Sequence, residues 1–287
     1  MQISNNTTAF NVWKNYSSTI DDLQDSMARL SSGNRIENAG DDASGLALSE
    51  RLRTQSRNAS AAAGNVENKL NYLQTADSWM QKIHDMLGRM SELAVMANDG
   101  TKSDTDRSVL QQEFVQMQDE ISRITTGADA AGKFNGVALF QGGAGIVQQV
   151  GADGGQVFSS AAVDLTTANA DDLGNGTTWG QLIDSSGSVQ IATRADAEAA
   201  VTDLQLGIDF LSEKRADTGA EMNRMEQTLA GLRNYEENIM ATESRIRDVD
   251  VAKETSEMTK YQVLQQVGTA MLAQANQLPG NVMQLFG

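Results

Sequence analysis

His84 is the one histidine in this chain, and cysteine is absent altogether. Zinc takes several nitrogen or sulfur donors, so a lone imidazole with Asp85 after it and apolar Ile83 before it reads as an ordinary helical side chain. Asp41-Asp42 and Asp248-Val249-Asp250 are the paired acids that general acid–base chemistry would draw on. Both sit where helices should start or turns should be solvated, and the positive end of a helix accounts for an acid there without catalysis. The glycines from Gly142 to Gly154 lack the G-x-x-x-x-G-K-S/T spacing of a phosphate loop and read as flexible turn. No catalytic residue, metal ligand set or cofactor site emerges, and without cysteine neither disulfides nor thiolate chemistry is available.

The elements around these residues carry a different signal, which is long-range periodicity. From Ala197 to Ile239 a step of four then three picks out Ala197, Val201, Leu204, Ile208, Leu211, Arg215, Thr218, Met222, Met225, Leu229, Leu232, Glu236 and Ile239, with only three polar members. This is a coiled-coil seam. At roughly 1.5 Å per residue such a helix is about 65 Å long and needs partners of similar length. Ala9, Trp13, Tyr16, Ile20, Leu23, Met27 and Leu30 make a second seam, which stops at Ser31-Ser32-Gly33. The acids Asp41-Asp42 then cap a new helix that begins near residue 43.

That helix carries a third stripe, Val66, Leu70, Leu73, Ala76, Met80, Ile83, Leu87, Met90, Ala94 and Ala97, with Tyr72, Trp79, Met86 and Leu93 repeating beside it. Two adjacent stripes predict contact with more than one helix. After the break at Asn98-Asp99-Gly100, Leu110, Phe114, Met117, Ile121 and Ile124 form a shorter stripe that folds back. Residues 134–193 turn Gly-rich. Val137 to Phe140 and Ile146 to Val150 read as a hairpin around Gln141-Gly142-Gly143-Ala144-Gly145, followed by a patternless polar stretch from Thr166 to Thr178. This region reads as the tip or exposed side. The fold class is mainly α: a long antiparallel helical bundle or coiled coil with a small β-hairpin region.

Composition narrows the partners. A net charge of −16 with no basic face excludes nucleic acid, whose phosphates need neutralising. Met1 to Ile20 lacks the basic and apolar regions of a secretory signal peptide. Although 21% of the chain is charged, Tyr261 to Gly287 holds no Asp, Glu, Lys or Arg, and Met1 to Ile20 holds only Lys14. Leu264, Val267, Met271, Ala275, Leu278, Val282 and Leu285 make a stripe in the tail, but Gln262, Gln265, Gln266, Gln274, Asn276 and Gln277 interrupt it too often for membrane insertion. Amide-bearing flanks suit a helix enclosed by other helices, where amides pair.

The segment Arg29-Leu30-Ser31-Ser32-Gly33-Asn34-Arg35-Ile36 through Asp41-Asp42-Ala43-Ser44-Gly45-Leu46-Ala47 resembles the N-terminal signature of bacterial flagellins. The likeness continues in Gln74-Thr75-Ala76, Glu92-Leu93-Ala94-Val95, Phe134-Asn135-Gly136 and Ser244-Arg245-Ile246-Arg247-Asp248-Val249-Asp250, and closes with Leu264-Gln265-Gln266 through Asn276-Gln277-Leu278-Pro279. The opening Met1 to Asn11 is a loose match, and residues 156–193 are short for the surface domains many flagellins insert there.

The resemblance implies an extracellular subunit of the bacterial flagellar filament, secreted unfolded through the flagellar export channel. Residues 1–42 and 241–287 would form an inner coiled-coil domain and residues 43–240 a rod-like helical domain, with the hairpin and a short variable region at about 134–193. Subunit assembly would rest on Trp13, Tyr16, Ile20, Leu23, Met27 and Leu30, and on Leu264, Val267, Met271, Leu278, Val282 and Leu285. The implied partners are other copies of the chain, an export chaperone and the export apparatus, and hook-associated and cap proteins. Arg89, Leu93 and Glu113 match positions read by the flagellin-sensing Toll-like receptor of animals, and the spacing of Arg89 and Leu93 puts them on one helical face. The alternatives are a hook–filament junction protein, which copy number in isolated filaments separates, and a cytoplasmic coiled-coil scaffold, which predicts charged termini.

Overall fold

The computed structural model describes residues 6–286 except 128, 144, 161, 162 and 188, and for 278–286 describes the backbone alone. The elements are α1 (Thr7–Ser32), α2 (Ala43–Ala97), α3 (Asp104–Thr125), β1 (Lys133–Phe134), β2 (Val137–Ala138), β3 (Val147–Gln149), β4 (Val157–Ser159), α4 (Trp179–Ile183), α5 (Arg194–Arg247) and α6 (Val251–Phe286). The fold is mainly α with a small β region. The chain divides into two compact units, Met1–Ser56 with Glu236–Gly287, and Arg57–Tyr235.

The second unit is built on α2, α3 and α5. Asp77 pairs with Arg215 and Glu67 with Arg233, each at 2.8 Å, so α5 numbers rise as α2 numbers fall and the helices are antiparallel. Arg89 with Glu113, and Arg107 with the Ala97 carbonyl, make α3 antiparallel to α2 in the same way. The turn between them is fixed chemically. Ser103 and Asp106 form a reciprocal capping box at the start of α3, while Arg107 donates back to the carbonyls of Ala97 and Asp99. All thirteen positions of the Ala197–Ile239 seam are buried or half-buried. Met80, Ile83, Leu87, Met90 and Leu93 of α2 are fully buried with Phe114 and Ile121 of α3 and Leu204 and Leu211 of α5. At about 1.5–3 kcal/mol per large apolar side chain, this cluster dominates the unit's stability.

The glycine-rich region departs from the expected pairing. Val137–Ala138 and Val147–Gln149 are strands, but not partners. Phe134 pairs with Val137 across Asn135-Gly136, whose φ angles of 48° and 79° give a two-residue turn with both central residues left-handed. β3 pairs with β4 across the turn from Val150 to Gln156. The reason is local: the Asn-Gly turn already carries the twist of the flanking strands, and it ties Val137–Ala138 to β1.

Residues 134–193, expected as the tip or exposed side with a patternless stretch from Thr166 to Thr178, instead supply core. Phe158 of β4 enters a cluster with Val66 and Leu73 of α2 and Met225 and Leu232 of α5. Leu165, Trp179, Leu182, Ile183, Val189 and Ile191 are buried against the main cluster. Their spacing is irregular because side-chain amides, not a regular ladder, satisfy the backbone. Gln118 donates to the carbonyls of Leu182 and Val189, Gln111 accepts from the Ile191 N–H at 2.6 Å, and Trp179 Nε1 donates to the Leu165 carbonyl. Gly207 leaves the space that Leu182 fills; a Cβ there would overlap Leu182 Cδ2.

Candidate assembly surface on the terminal helices

The first unit begins with the connector that turns α1 into α2. Gly33 ends α1 with φ 74°, its N–H donating to the Arg29 carbonyl at 2.9 Å. Its own carbonyl then accepts from Val249 N–H at 3.0 Å, and Arg35 donates from its backbone to Arg247 O and from its guanidinium to Ile246 O, both at 2.6 Å. The connector is therefore clasped to the joint between α5 and α6. The four acids flagged for chemistry serve this framework. Asp41 accepts from the N–H groups of Asn38 and Glu37, which hold its carboxyl below the usual range. Asp42 accepts from Gly45 and Ser44 at the start of α2 and is lowered for the same reason. Asp250 caps α6 through the N–H groups of Ala252 and Lys253, and Asp248 accepts from the Ser244 hydroxyl at 2.6 Å. Gly45 is required because a Cβ would stand 2.8 Å from Cδ1 of buried Ile36.

Beyond the clasp, α1 and α6 lie antiparallel. Ser26 Oγ donates to the Glu254 carbonyl, and at the far end Asn6 Nδ2 donates to the Ala275 carbonyl at 2.9 Å. Their shared seam is thin: Leu23, Ser26, Glu254 and Ala275 are buried, and Tyr16, Ile20, Leu30, Tyr261 and Leu272 half-buried. Gly268 receives the Tyr16 ring, since a Cβ there would stand 2.8 Å from Tyr16 Cδ2. On α6 this seam runs Tyr261, Gln265, Gly268, Leu272, Ala275, itself a four-three step.

The stripe expected in the tail is a second face of the same helix. Leu264, Val267 and Met271 stand 42%, 51% and 51% exposed. On α1, Trp13 and Met27 are 54% and 45% exposed, with Phe10 alongside, its ring centroid 5.9 Å from that of Trp13. Leu278, Val282 and Leu285 lie outside the described side chains. Thus Tyr16, Ile20, Leu23 and Leu30 face the intramolecular seam, whereas Trp13, Met27, Leu264, Val267 and Met271 form an apolar outer surface. Around Trp13, Leu264, Val267 and Met271 the near-total lack of charge leaves nothing to favour solvation.

Arg89, Leu93 and Glu113 are not one surface. Arg89 bridges Glu113 at 2.9 Å and Glu92 at 2.8 Å in the open. Leu93, four residues on, has turned about 40° further round the helix and is fully buried in the core. His84 is half-buried, and among the described residues no three His, Asp or Glu converge as a metal site. Nor, among those residues, is any helix long and apolar enough to cross a membrane.

Residues 3–144 match the family model for the bacterial flagellin N-terminal helical region, and residues 201–286 that for the C-terminal helical region. A flagellin of Halalkalibacterium halodurans is 37% identical over 287 residues and the flagellin of Bacillus subtilis 38% over 310, each match covering the whole of both chains. The chain belongs to the bacterial flagellins. This flagellin is a structural subunit of the flagellar filament, the extracellular organelle of swimming motility. It shares its fold with a putative flagellar hook-associated protein from Vibrio parahaemolyticus, with TM-score 0.56 and 15% identity, covering 72% of this chain and all of the other.

Proposed function

We propose that copies of this flagellin polymerise through the outer apolar surface of α1 and α6. In this reading residues 1–42 and 241–287 form the filament's inner tube, and residues 43–240 a rod-like helical domain. The observation that carries it is the exposure of Trp13, Val267 and Met271, each near half, on segments almost free of charge. Neighbouring copies would cover that surface, and the thin α1–α6 seam would gain most of its order on assembly. Hook-associated and cap proteins meet the same surface at the filament's ends. Before assembly, an export chaperone covers it, and the export apparatus passes the unfolded chain to the outside.

Deleting Leu264 to Gly287 tests the assignment. Circular dichroism of the truncated chain should retain most helix and a similar melting point, because the cores of Arg57–Tyr235 are untouched, while sedimentation after seeding should find no polymer. Polymer of normal length from the truncated chain would refute it. Receptor recognition, in the same reading, rests on the exposed Arg89–Glu113 pair, with buried Leu93 supporting the helix that presents Arg89.

A further inference from the structure

We propose that Met27, Met240 and Met271 are oxidation sites, and that a hydroperoxide acting at Met27 and Met271 blocks self-association of this flagellin. The inference rests on the assembly surface proposed above and adds to it the chemistry that acts there. Three observations carry it. Sulfur in this chain is all thioether, because there are 13 methionines and no cysteine, so no thiol of the chain competes for oxidant. The thioethers are segregated. In Arg57–Tyr235, Met80, Met90 and Met225 are buried in the cores. Among the described residues, the three methionines that are strongly exposed, Met27 at 45%, Met240 at 49% and Met271 at 51%, all belong to the unit formed by the chain's two ends. Finally, Met27 and Met271 belong to the outer apolar surface itself, Met271 on the same charge-free segment of α6 as Val267.

The step balances without further reactants. A lone pair on sulfur attacks one oxygen of the hydroperoxide, the S–O bond forms and the O–O bond breaks. The sulfur is oxidised by two electrons, and the peroxide is reduced to water, or to an alcohol if it is organic. The product sulfoxide is polar and accepts hydrogen bonds, in place of a flexible apolar group. Buried between subunits without a donor, a sulfoxide at Met27 or Met271 should weaken association about tenfold or more, the factor given by about 1.4 kcal/mol of unpaired polar burial. Once polymerised, the surface is covered, so filament should be spared what monomer suffers.

The test treats full-length monomer with dilute hydrogen peroxide, maps sulfoxides by peptide mass spectrometry, and measures seeded polymerisation before and after repair by methionine sulfoxide reductases. The expected result is sulfoxide at Met27, Met240 and Met271 ahead of Met80, Met90 and Met225, at least tenfold slower polymerisation, and recovery on repair. A Met27→Leu, Met240→Leu, Met271→Leu variant should polymerise equally well with and without peroxide, since Leu keeps the volume and cannot be oxidised. Unchanged polymerisation of the oxidised chain, absence of recovery on repair, or equal loss in the triple variant would overturn the inference. Failure of untreated, unmodified chain to polymerise would instead strike the assembly reading beneath it.

Discussion

Replacing Lys69 by Met should stabilise this flagellin. Lys69 is 2% exposed within α2, and its Nζ has no hydrogen-bond partner among the described residues. It lies over the Tyr72 ring at 4.6 Å from the centroid, with the Glu221 carboxylate as the acid that acts on it. A buried donor left unpaired costs about 1–3 kcal/mol, more when charged, and a cation–π contact returns about 0.5–2. Met keeps most of the stem and its contacts, so the variant should gain about 1 kcal/mol, or about 2–4 °C for a unit of this size. The pH dependence checks the cause. Burial holds the Lys69 pKa below its usual value. The unfolded chain therefore binds the proton more tightly, and native stability rises with pH through the window below 10.5. Tyr72, raised by burial, opposes this only above its ordinary 10.0. Thermal unfolding of full-length monomer followed by circular dichroism, at about pH 8 and at just under pH 10, should find the gap between the two proteins narrowing. A variant less stable at both pH values, or a gap independent of pH, would refute the reasoning.

Two glycine series within α5 should differ in sign. Gly207→Ala should cost about 1–2 kcal/mol despite the helix propensity gained, because the new methyl overlaps Leu182 Cδ2, whereas Gly219→Ala and Gly231→Ala, with open space at Cβ, should gain about 0.5–1 kcal/mol in chemical denaturation. Arg89→Ala monomer should lose its signal in a reporter-cell assay for the flagellin-sensing receptor with little change in melting point, since the pair with Glu113 is exposed; an undiminished signal would remove that pair as determinant.

Periodicity made most of the helical framework legible. The seam from Ala197 to Ile239, the paired stripes of α2 and the stop at Gly33 each depend on local repetition or on one residue's conformational freedom, and all three are readable along the chain. Pairing between strands was not, because it is a competition between turns. Asn135-Gly136 won over the glycine loop, although both lie in one short stretch. Trp179, Leu182 and Val189 are not legible along the chain for a related reason: single anchors held by Gln118 and by backbone carbonyls leave no period. In α6 the ambiguity was between two genuine periods. Leu264, Val267 and Met271 step by four and three, and so do Tyr261, Gln265, Gly268, Leu272 and Ala275; which one faces α1 is decided by Tyr16 needing a glycine opposite it.

The clasp between the two ends has a consequence in time. Asn6 bonds to Ala275 across a sequence separation of 269 residues, and Arg35 meets Ile246 across 211. Synthesis runs from the N-terminus at about 5–20 residues per second, so α1 waits on the order of 10–50 s before α6 exists to meet it. The α2 and α3 pairing, whose partners are close in sequence, needs no such delay. Throughout that interval Tyr16, Ile20 and Leu23 lack the seam that α6 later provides, and Phe10 and Trp13 stand open beside them. An apolar helix left open this long is a target for premature association, and a replacement such as Trp13→Gln would remove that hazard only by removing the surface with which the finished chain meets its own kind.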